Sequence, residues 1–390
     1  MTVIWVLTLL SAFAVMLFAA SSALFRRRCP VLPPGDPPPG ELPLISIVVP
    51  ARNEAANIER CVRSLLDQRY PRIEIIAVDD ASTDATPQIL ARLAAQDTRL
   101  KVLPGRPLRP GWTGKNNALV HGLRHTQGDW LLFVDADVQL EPGAVAGAYR
   151  AACEGQAAMV SLWARQETHT FWERCVQPLI TGANLSVDPL LRCNSPRHPE
   201  RALGNGQFIL VERAAYQHTG GHEILRDEVL EDQRLSRNFK LAGYRVLMMD
   251  GSQVLRTRMY DSLQSLWEGW SKNNFLSLGR SLPLACACVV TTYLVMVNPF
   301  VLALWTLAAT KFHQTFFDPL LINLSSVALL LWTRWRMRRF APTPLRDYLT
   351  IPLGGLVFTG IIISSAYQHL RGRGVTWKGR LYGEETGSRG

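Results

Sequence analysis

Apolar residues are unevenly spread along this chain. Four stretches, Thr2–Phe25, Ser281–Thr310, Pro319–Thr333 and Tyr348–Leu370, are apolar and uncharged over, or close to, the ~17–25 residues needed to cross a ~30 Å hydrocarbon layer. They predict membrane segments at both ends. From Ile45 onward the pattern changes, and short β-branched runs alternate with segments of helical period. Ile45–Val49 is followed by Glu54–Leu66, Ile73–Val78 by Ser82–Ala95, and Trp130–Val134 by Pro142–Cys153. This alternation predicts an α/β domain whose mostly parallel sheet is covered on both faces. After Ala157–Leu162 the pattern loosens, with helices predicted over Phe171–Leu185 and Glu231–Ala242. A further helix, Asp261–Gly279, combines Trp267, Trp270, Phe275 and Leu278 with Glu268 and Lys272 and runs into an apolar span, which predicts an amphipathic helix at the membrane interface.

The resulting division is a transmembrane anchor at 1–28, a Pro-rich linker at 29–43, the α/β domain at 44–260, the interface helix at 261–280, membrane segments at 281–370 and a basic tail at 371–390. The linker holds Pro30, Pro33, Pro34 and Pro37–Pro39, which forbid helix and favour an extended spacer. The first span lacks a basic segment ahead of it and ends in Arg26–Arg28, so it is expected to be an uncleaved anchor with the following domain in the cytoplasm.

Charge adds one exclusion. The formal net charge is +10, but the basic clusters Arg26–Arg28, Arg334/Arg336/Arg338/Arg339 and Arg371/Arg373/Lys378/Arg380 flank apolar spans and match the whole excess. They point to membrane topology and anionic headgroups, not to a nucleic-acid partner. A basic tail predicts a cytoplasmic C-terminus, yet four full spans would place it outside. One stretch is therefore expected to be interfacial or re-entrant, and Ser281–Thr310, interrupted by Asn298-Pro299, is the candidate. Seven scattered cysteines with no Cys-x-x-Cys pair indicate neither a disulfide framework nor a zinc site.

The candidate chemistry sits where the predicted strands end. The first strand runs into Pro50-Ala-Arg-Asn-Glu54, the second into Asp79-Asp80-Ala-Ser-Thr-Asp84, and the third into Asp135-Ala-Asp137. Ligands of open α/β sheets bind beyond these carboxyl ends. Asn53 or Ser82 could be helix N-caps and Asp84 a first-turn acid. Asp80, Asp135 and Asp137 are different, because acids converging on one sheet edge repel unless something cationic neutralises them. A divalent metal held by one or two acids and completed by water and phosphate oxygens would do so. Glycines at Gly204-Asn-Gly206 serve either a close approach or a tight turn. His218 and His222 lack metal-like spacing and are expected at the surface or in a pocket wall.

Val48-Val-Pro-Ala-Arg-Asn-Glu54, Val78-Asp-Asp-Ala-Ser-Thr-Asp84, Gly114-Lys-Asn-Asn-Ala118, Asp135-Ala-Asp137, Asn205-Gly-Gln-Phe208 and Leu230-Glu-Asp-Gln233 follow one another in a specific order. In that order and spacing, over about residues 44 to 280, the chain resembles the inverting family-2 glycosyltransferases of GT-A fold. It looks most like the bacterial membrane branch that includes carotenoid- and hopanoid-associated enzymes, and more distantly like ceramide glucosyltransferase. The resemblance implies a Rossmann-like GT-A domain that transfers a sugar from a nucleotide-sugar, a UDP-sugar in the first instance, with Mg²⁺ or Mn²⁺. It implies that Pro50, Arg52 and Glu54 line the nucleotide pocket, that Asp80 contacts base or ribose, and that Lys115 reaches ribose or diphosphate. Asp135 and Asp137 match the family's D-x-D, with Asp137 the direct metal ligand, and Asp232 takes the place of the catalytic base.

A base opposite the leaving group is what displacement by a hydroxyl requires, and a carboxylate can supply it. Taken alone, Glu231-Asp232 would be first-turn acids favoured by the helix dipole. Processive members of the family carry Gln-x-x-Arg-Trp beyond the base. Here Trp270 matches the tryptophan, no arginine precedes it, and Lys272 or Arg256 and Arg258 are left to supply the charge. Transfer of a single sugar is expected over polymer synthesis. Anchoring before and after the domain predicts a lipid acceptor, and retention of Asp232 favours a hydroxyl over a carboxyl, which is already ionised near neutrality. The competing classes are a non-catalytic docking module, which loss of an acid at 135, 137 or 232 would have marked, and a nucleotidyltransferase, which Pro50–Glu54 does not fit.

Overall fold

The computed structural model describes residues 1–186, 193–198, 200–371, 375–377 and 380–382; of the basic tail, Arg373 and Lys378 lie outside the described residues. Two compact units emerge, one of Arg28–Arg165 with Asp188–Arg258 and one of Met1–Arg27 with Gln166–Val187 and Met259–Gly390. The chain is thus divided differently from the sequence expectation, since the linker joins the first unit and Gln166–Val187 the second.

In the α/β unit, β1 (Ile45–Ala51), β2 (Ile73–Asp79), β3 (Leu100–Pro104) and β4 (Trp130–Val134) are followed by β5 (Val138–Leu140), β6 (Met159–Trp163), β7 (Arg165–Gln166), β8 (Phe208–Glu212), β9 (Val246–Asp250) and β10 (Leu255–Thr257). Among the described residues, seven of these form one sheet in the order β3-β2-β1-β4-β8-β6-β9. β1 pairs in parallel with β2 and β4, β2 with β3, and β6 with β9, while β8 runs antiparallel to β4 and β6. Both faces of β1 are buried, with Ile45, Ile47 and Val49 in one apolar cluster and Val48 in another. This accounts for its apolar character on both faces, with Ser46 the one polar residue among Ile45–Val49.

The helices begin later than the sequence pattern suggests, at Ile58 and Thr86. Neither Asn53 nor Ser82 is an N-cap. They lace the loops after β1 and β2 together instead: Asn53 N donates to Ser82 Oγ at 3.0 Å, and Thr83 N donates to Asn53 Oδ1 at 2.8 Å. Asp84 precedes the helix and is not a first-turn acid; its Oδ1 accepts from Thr86 N at 3.0 Å and its Oδ2 from Ala55 N at 3.0 Å, which ties the two loops together. The linker is extended but is no free spacer. Leu32 is buried in the core, Leu32 N donates to Asp250 O at 2.9 Å, and Gly35 N to Gly143 O at 3.1 Å.

The other unit exposes many large apolar side chains and places small and hydroxylated residues beside an apolar interior. Helix Thr2–Arg28 buries Thr8, Ser11, Val15, Ala19 and Ser22 and exposes Leu9, Leu10, Phe13, Met16 and Leu17. Small and hydroxylated residues on the inner stripe allow close helix packing and interhelical hydrogen bonds, which is the pattern suited to lipid. Asn298 Nδ2 donates to Ser11 Oγ at 2.7 Å, and Asn323 Nδ2 to Thr8 Oγ1 at 3.1 Å. Among the described residues, three helices are long and apolar enough to cross a membrane, Thr2–Arg28, Gln314–Met337 and Leu345–Leu370. The pair Leu282–Met296 and Asn298–Ala309 is bent by 43° at the expected break. Helix Leu263–Ser277 does not lay its aromatic face bare at an interface. Phe275 is buried, its N–H donates to Ser365 Oγ at 3.0 Å, and Trp267 covers Gly360 on helix Ile351–Leu370.

Helix Gly114–Leu123 lies against the sheet through Gly122. A Cβ there would come 2.8 Å from Val48 Cγ1 and 3.0 Å from Val78 Cγ2, both on buried strands. Gly122→Ala is expected to destabilise the unit by about 1–3 kcal/mol through overpacking, outweighing the ~1 kcal/mol that alanine gains over glycine in a helix. An undiminished melting temperature of the detergent-solubilised protein would refute this contact.

Candidate active site

The carboxyl ends of β1, β2 and β4 carry their loops to one edge of the sheet. Arg52 Nη1 donates to Asp80 O at 2.7 Å and to Ala81 O at 3.0 Å, and Glu54 N donates to Thr86 Oγ1 at 2.8 Å. The turn residues Asn53 and Ala81 have φ of 52° and 54°. Left-handed backbone at two non-glycine positions is costly and persists where surrounding bonds over-determine it. Asp80 itself is buried, and its N–H donates to Ala51 O at 2.7 Å. These bonds fuse Arg52, Glu54 and Asp80 into one rigid rim, beside Pro50 at the end of β1.

Asp135 and Asp137 follow β4. Buried Cys61 lies beneath them and donates its thiol to Asp135 O at 3.7 Å. Burial first, then the charges of Asp137, Glu54 and Asp135, push the Cys61 thiol far up. Carboxylates from two segments, Glu54 after β1 and Asp135 and Asp137 after β4, therefore act on one thiol.

Lys115 supplies the balancing charge. Its Nζ lies 2.7 Å from Asp135 Oδ1 and 2.7 Å from Glu231 Oε1. Burial opposes the ammonium, but Asp135, Glu231 and Asp232 together hold its pKa well above the ordinary lysine range. The side chain starts in the first turn of helix Gly114–Leu123, where Thr113 Oγ1 accepts from Asn116 N at 3.2 Å. That helix end is pinned to the loop before helix Glu231–Leu241. Thr113 N donates to Arg226 O at 2.7 Å, and Asn116 Nδ2 to Leu225 O at 2.5 Å and Glu228 O at 3.1 Å. The segment Arg226–Glu228 is thus built into the support of the site.

Asp232 is half-buried. Its Oδ2 accepts from Gly206 N at 2.9 Å and its Oδ1 from Gln233 N at 2.7 Å. Burial, then the charge of Glu231, pushes its carboxyl up to about 6, against the pull of Lys115 and of the two N–H groups. Gly206 backs directly on the cluster: a Cβ there would lie 2.7 Å from Lys115 Nζ. His222 is a buried wall residue, held neutral with a pKa of about 3 by burial and by Lys115. Its Nδ1 and the Tyr216 hydroxyl are hydrogen-bonded at 2.8 Å.

Of the residues singled out by sequence, Lys115, Asp135 and Asp232 share one cluster, and Arg52, Glu54, Asp80 and Asp137 stand on the adjoining loops of the same unit. Trp270 and Lys272 belong to the other unit, on helix Leu263–Ser277, where Trp270 Nε1 donates to Gln177 Oε1 at 3.0 Å. Glu231, the second carboxylate on Lys115, is not singled out by motif spacing. Its signal was the Glu-Asp doublet at a helix start. Among the described residues, no group of three or more His, Cys, Asp or Glu forms a ready-made metal cage. The half-buried carboxylates at Asp135 and Asp137 offer hard oxygen donors, which fits a dication that takes one or two acids and completes its shell with phosphate and water.

Residues 46–218 match the family model described as Glycosyl transferase family 2. The chain is 27% identical over 344 residues to the 4,4'-diaponeurosporenoate glycosyltransferase of Staphylococcus aureus strain MRSA252, covering 87% of this chain and 88% of that protein. The protein of the same name from the bovine strain RF122 / ET3-1 is 27% identical over 346 residues, with the same coverage. Among solved structures, the mannosyltransferase PcManGT from Pyrobaculum calidifontis, in complex with GDP-Man and Mn²⁺, is similar in fold, with a TM-score of 0.55 and 20% identity over 95% of this chain and 98% of its own. Residues 46–218 are a family-2 glycosyltransferase domain, and the unit that holds them has the GT-A fold.

Proposed function

We propose that the chain is a membrane-bound inverting hexosyltransferase that moves a single sugar from a nucleotide-sugar, in the first instance a UDP-sugar, to a lipid acceptor. The catalytic domain is on the cytoplasmic side. The observation that carries the reading is the cluster of Lys115, Asp135, Glu231 and Asp232, in which one acid is poised near neutrality beside a fixed ammonium.

Asp232 is the base that takes the proton of the attacking hydroxyl. Two N–H groups fix its carboxylate, while Glu231 and burial keep it basic enough to accept a proton. Lys115 neutralises the departing diphosphate, and Arg52, Glu54, Asp80 and Pro50 shape the nucleotide pocket. Asp135 and Asp137 would hold Mg²⁺ or Mn²⁺, which supplies charge neutralisation at the diphosphate. That the structural neighbour was solved with GDP-Man and Mn²⁺ supports a donor and metal of this kind. The names of the two Staphylococcus relatives support a carotenoid-related acceptor. Retention of a base supports a hydroxyl on it, since a carboxylate needs none. The apolar helices support presentation of that acceptor in a bilayer.

Membranes containing the protein, incubated with radiolabelled UDP-sugars and lipid extract, are expected to move label into the organic phase. EDTA is expected to abolish that transfer and Mn²⁺ or Mg²⁺ to restore it; label transfer indifferent to EDTA would sink the metal assignment. Asp232→Asn is expected to lower kcat by about 10²–10⁴, with little change in donor KM. Hydroxyl glycosylation at the wild-type rate would remove Asp232 as base. A base must be ionised to work, so kcat/KM should fall as pH drops through about 6. A profile flat from pH 5 to 8 would contradict the poised carboxylate.

A further inference from the structure

Lys240 lies in the last turn of helix Glu231–Leu241, more than two turns beyond Asp232 and a rise of about 12 Å from it. The residue is buried, and its ammonium donates to four main-chain carbonyls: Cys193 O at 2.8 Å, Ser195 O at 3.0 Å, His198 O at 2.7 Å and Arg201 O at 2.6 Å. An ammonium carries three N–H groups, so the four acceptors share it. Carbonyl oxygens turned toward one point repel one another and converge only around a cation. The described residues of 193–201 belong to neither helix nor strand. Lys240 is what winds this stretch.

The same stretch is fastened to the sheet. Asn194 Nδ2 donates to Met248 O on β9 at 2.9 Å, and Met248 N donates back to Asn194 Oδ1 at 2.7 Å. Further on, Asn205 N donates to Ser161 Oγ at 2.9 Å and Asn205 Nδ2 to Leu162 O at 3.1 Å, both on β6. Between these fastenings the chain presses on the helix: a Cβ at Gly204 would meet Ser236 Oγ and come 2.5 Å from Asp232 O. Gly206 then donates its N–H to Asp232 Oδ2 at 2.9 Å. Residues 193–206 therefore form a bracket, anchored on β6 and β9, that grips one end of the helix through Lys240 and the other through Asp232.

We propose that Lys240 is a positioning residue for the proton transfer: by winding 193–201 around its ammonium it holds the helix to the bracket, and with it the Asp232 carboxylate to the Gly206 N–H. It acts through Asp232, and the proposal rests on the reading of Asp232 as the base. Removing the ammonium would leave four carbonyls facing an apolar stem, and a buried acceptor that loses its donor is costly. The stretch would relax by unwinding, and the helix would lose its grip at the end opposite the base.

Lys240→Met keeps an unbranched stem and removes the ammonium, while Asn194→Ala loosens the bracket from the sheet side and leaves the lysine in place. In the full chain in detergent, both are expected to be cut by trypsin after the exposed Arg197 and Arg201 about tenfold faster than the wild type. In lipid glycosylation both should lose about ten- to a hundredfold in kcat, with donor KM held because Lys115 and the nucleotide rim are untouched. Burial and Glu231 raise the Asp232 pKa, and Lys115 and the N–H groups of Gly206 and Gln233 lower it. Weakening the Gly206 bond alone should therefore move the acid limb of kcat/KM from about 6 to higher pH. A purely structural role would lower the yield of folded protein and leave that limb in place. Cleavage at the wild-type rate in both variants overturns the bracket, and faster cleavage with an unmoved limb and wild-type kcat overturns the positioning role. Asn194→Ala decides the matter where Lys240→Met fails to fold. A wild type that transfers no sugar refutes instead the reading of Asp232 as a base, and the cleavage rates still report on the bracket.

Discussion

Lys115 sets its ammonium 2.7 Å from both Asp135 and Glu231, with Asp232 close enough to add to its stabilisation. Three carboxylates gathered in partly desolvated space repel one another. The ammonium changes that balance for the group as a whole but not evenly. Asp135 and Glu231 contact it directly. Asp232 is held by N–H donors instead and retains the effect of its burial and of Glu231. One fixed cation thereby separates neighbouring acids into two that are paired and one available for proton transfer, a division commonly found where acid–base work is done.

That separation holds only while the parts stay in place, and the surrounding backbone is built to keep them there. Gly206 supplies both the N–H for Asp232 and the open space that lets Lys115 pass. Asn116 and Thr113 tie the start of the lysine helix to the segment leading into the Asp232 helix. On the far side, Arg52 and Asn53 bind the loop after β2, so the nucleotide-side rim moves as one piece. A site supported from several segments of a sheet edge is geometrically tighter than one carried by a single loop.

Much of this was legible in the chain. Ile45–Val49, Ile73–Val78 and Trp130–Val134 announce strands because both their faces are buried, and the acids following them mark the sheet edge. The antiparallel β8 was not legible, since strand direction leaves no trace in an apolar run such as Phe208–Val211. Helix Gly114–Leu123 opens on Gly, Lys, Asn and Asn, a weak start on propensity, and is held by its threonine cap and tertiary bonds. Lys115 was noticed as a ligand-facing residue. Its role as counter-ion requires three distant segments to meet, which spacing alone cannot express. Arg334 did leave a signal: Leu330, Thr333, Arg334 and Met337 recur at helical spacing and share the buried face.

The two units obey opposite rules of burial, and this governs how charge is used in each. In the α/β unit a buried charge can be offset by a partner and partly by water, as at Lys115, whose side chain remains 34% exposed. The membrane unit exposes many large apolar residues and buries serines, threonines and asparagines beside an apolar cluster, so the buried polar groups must find partners among helices. Asn298 and Asn323 meet Ser11 and Thr8 across helices, and Thr306, Ser326 and Thr333 donate to backbone carbonyls of their own helices. Arg334 is accommodated by a backbone carbonyl and an aromatic face.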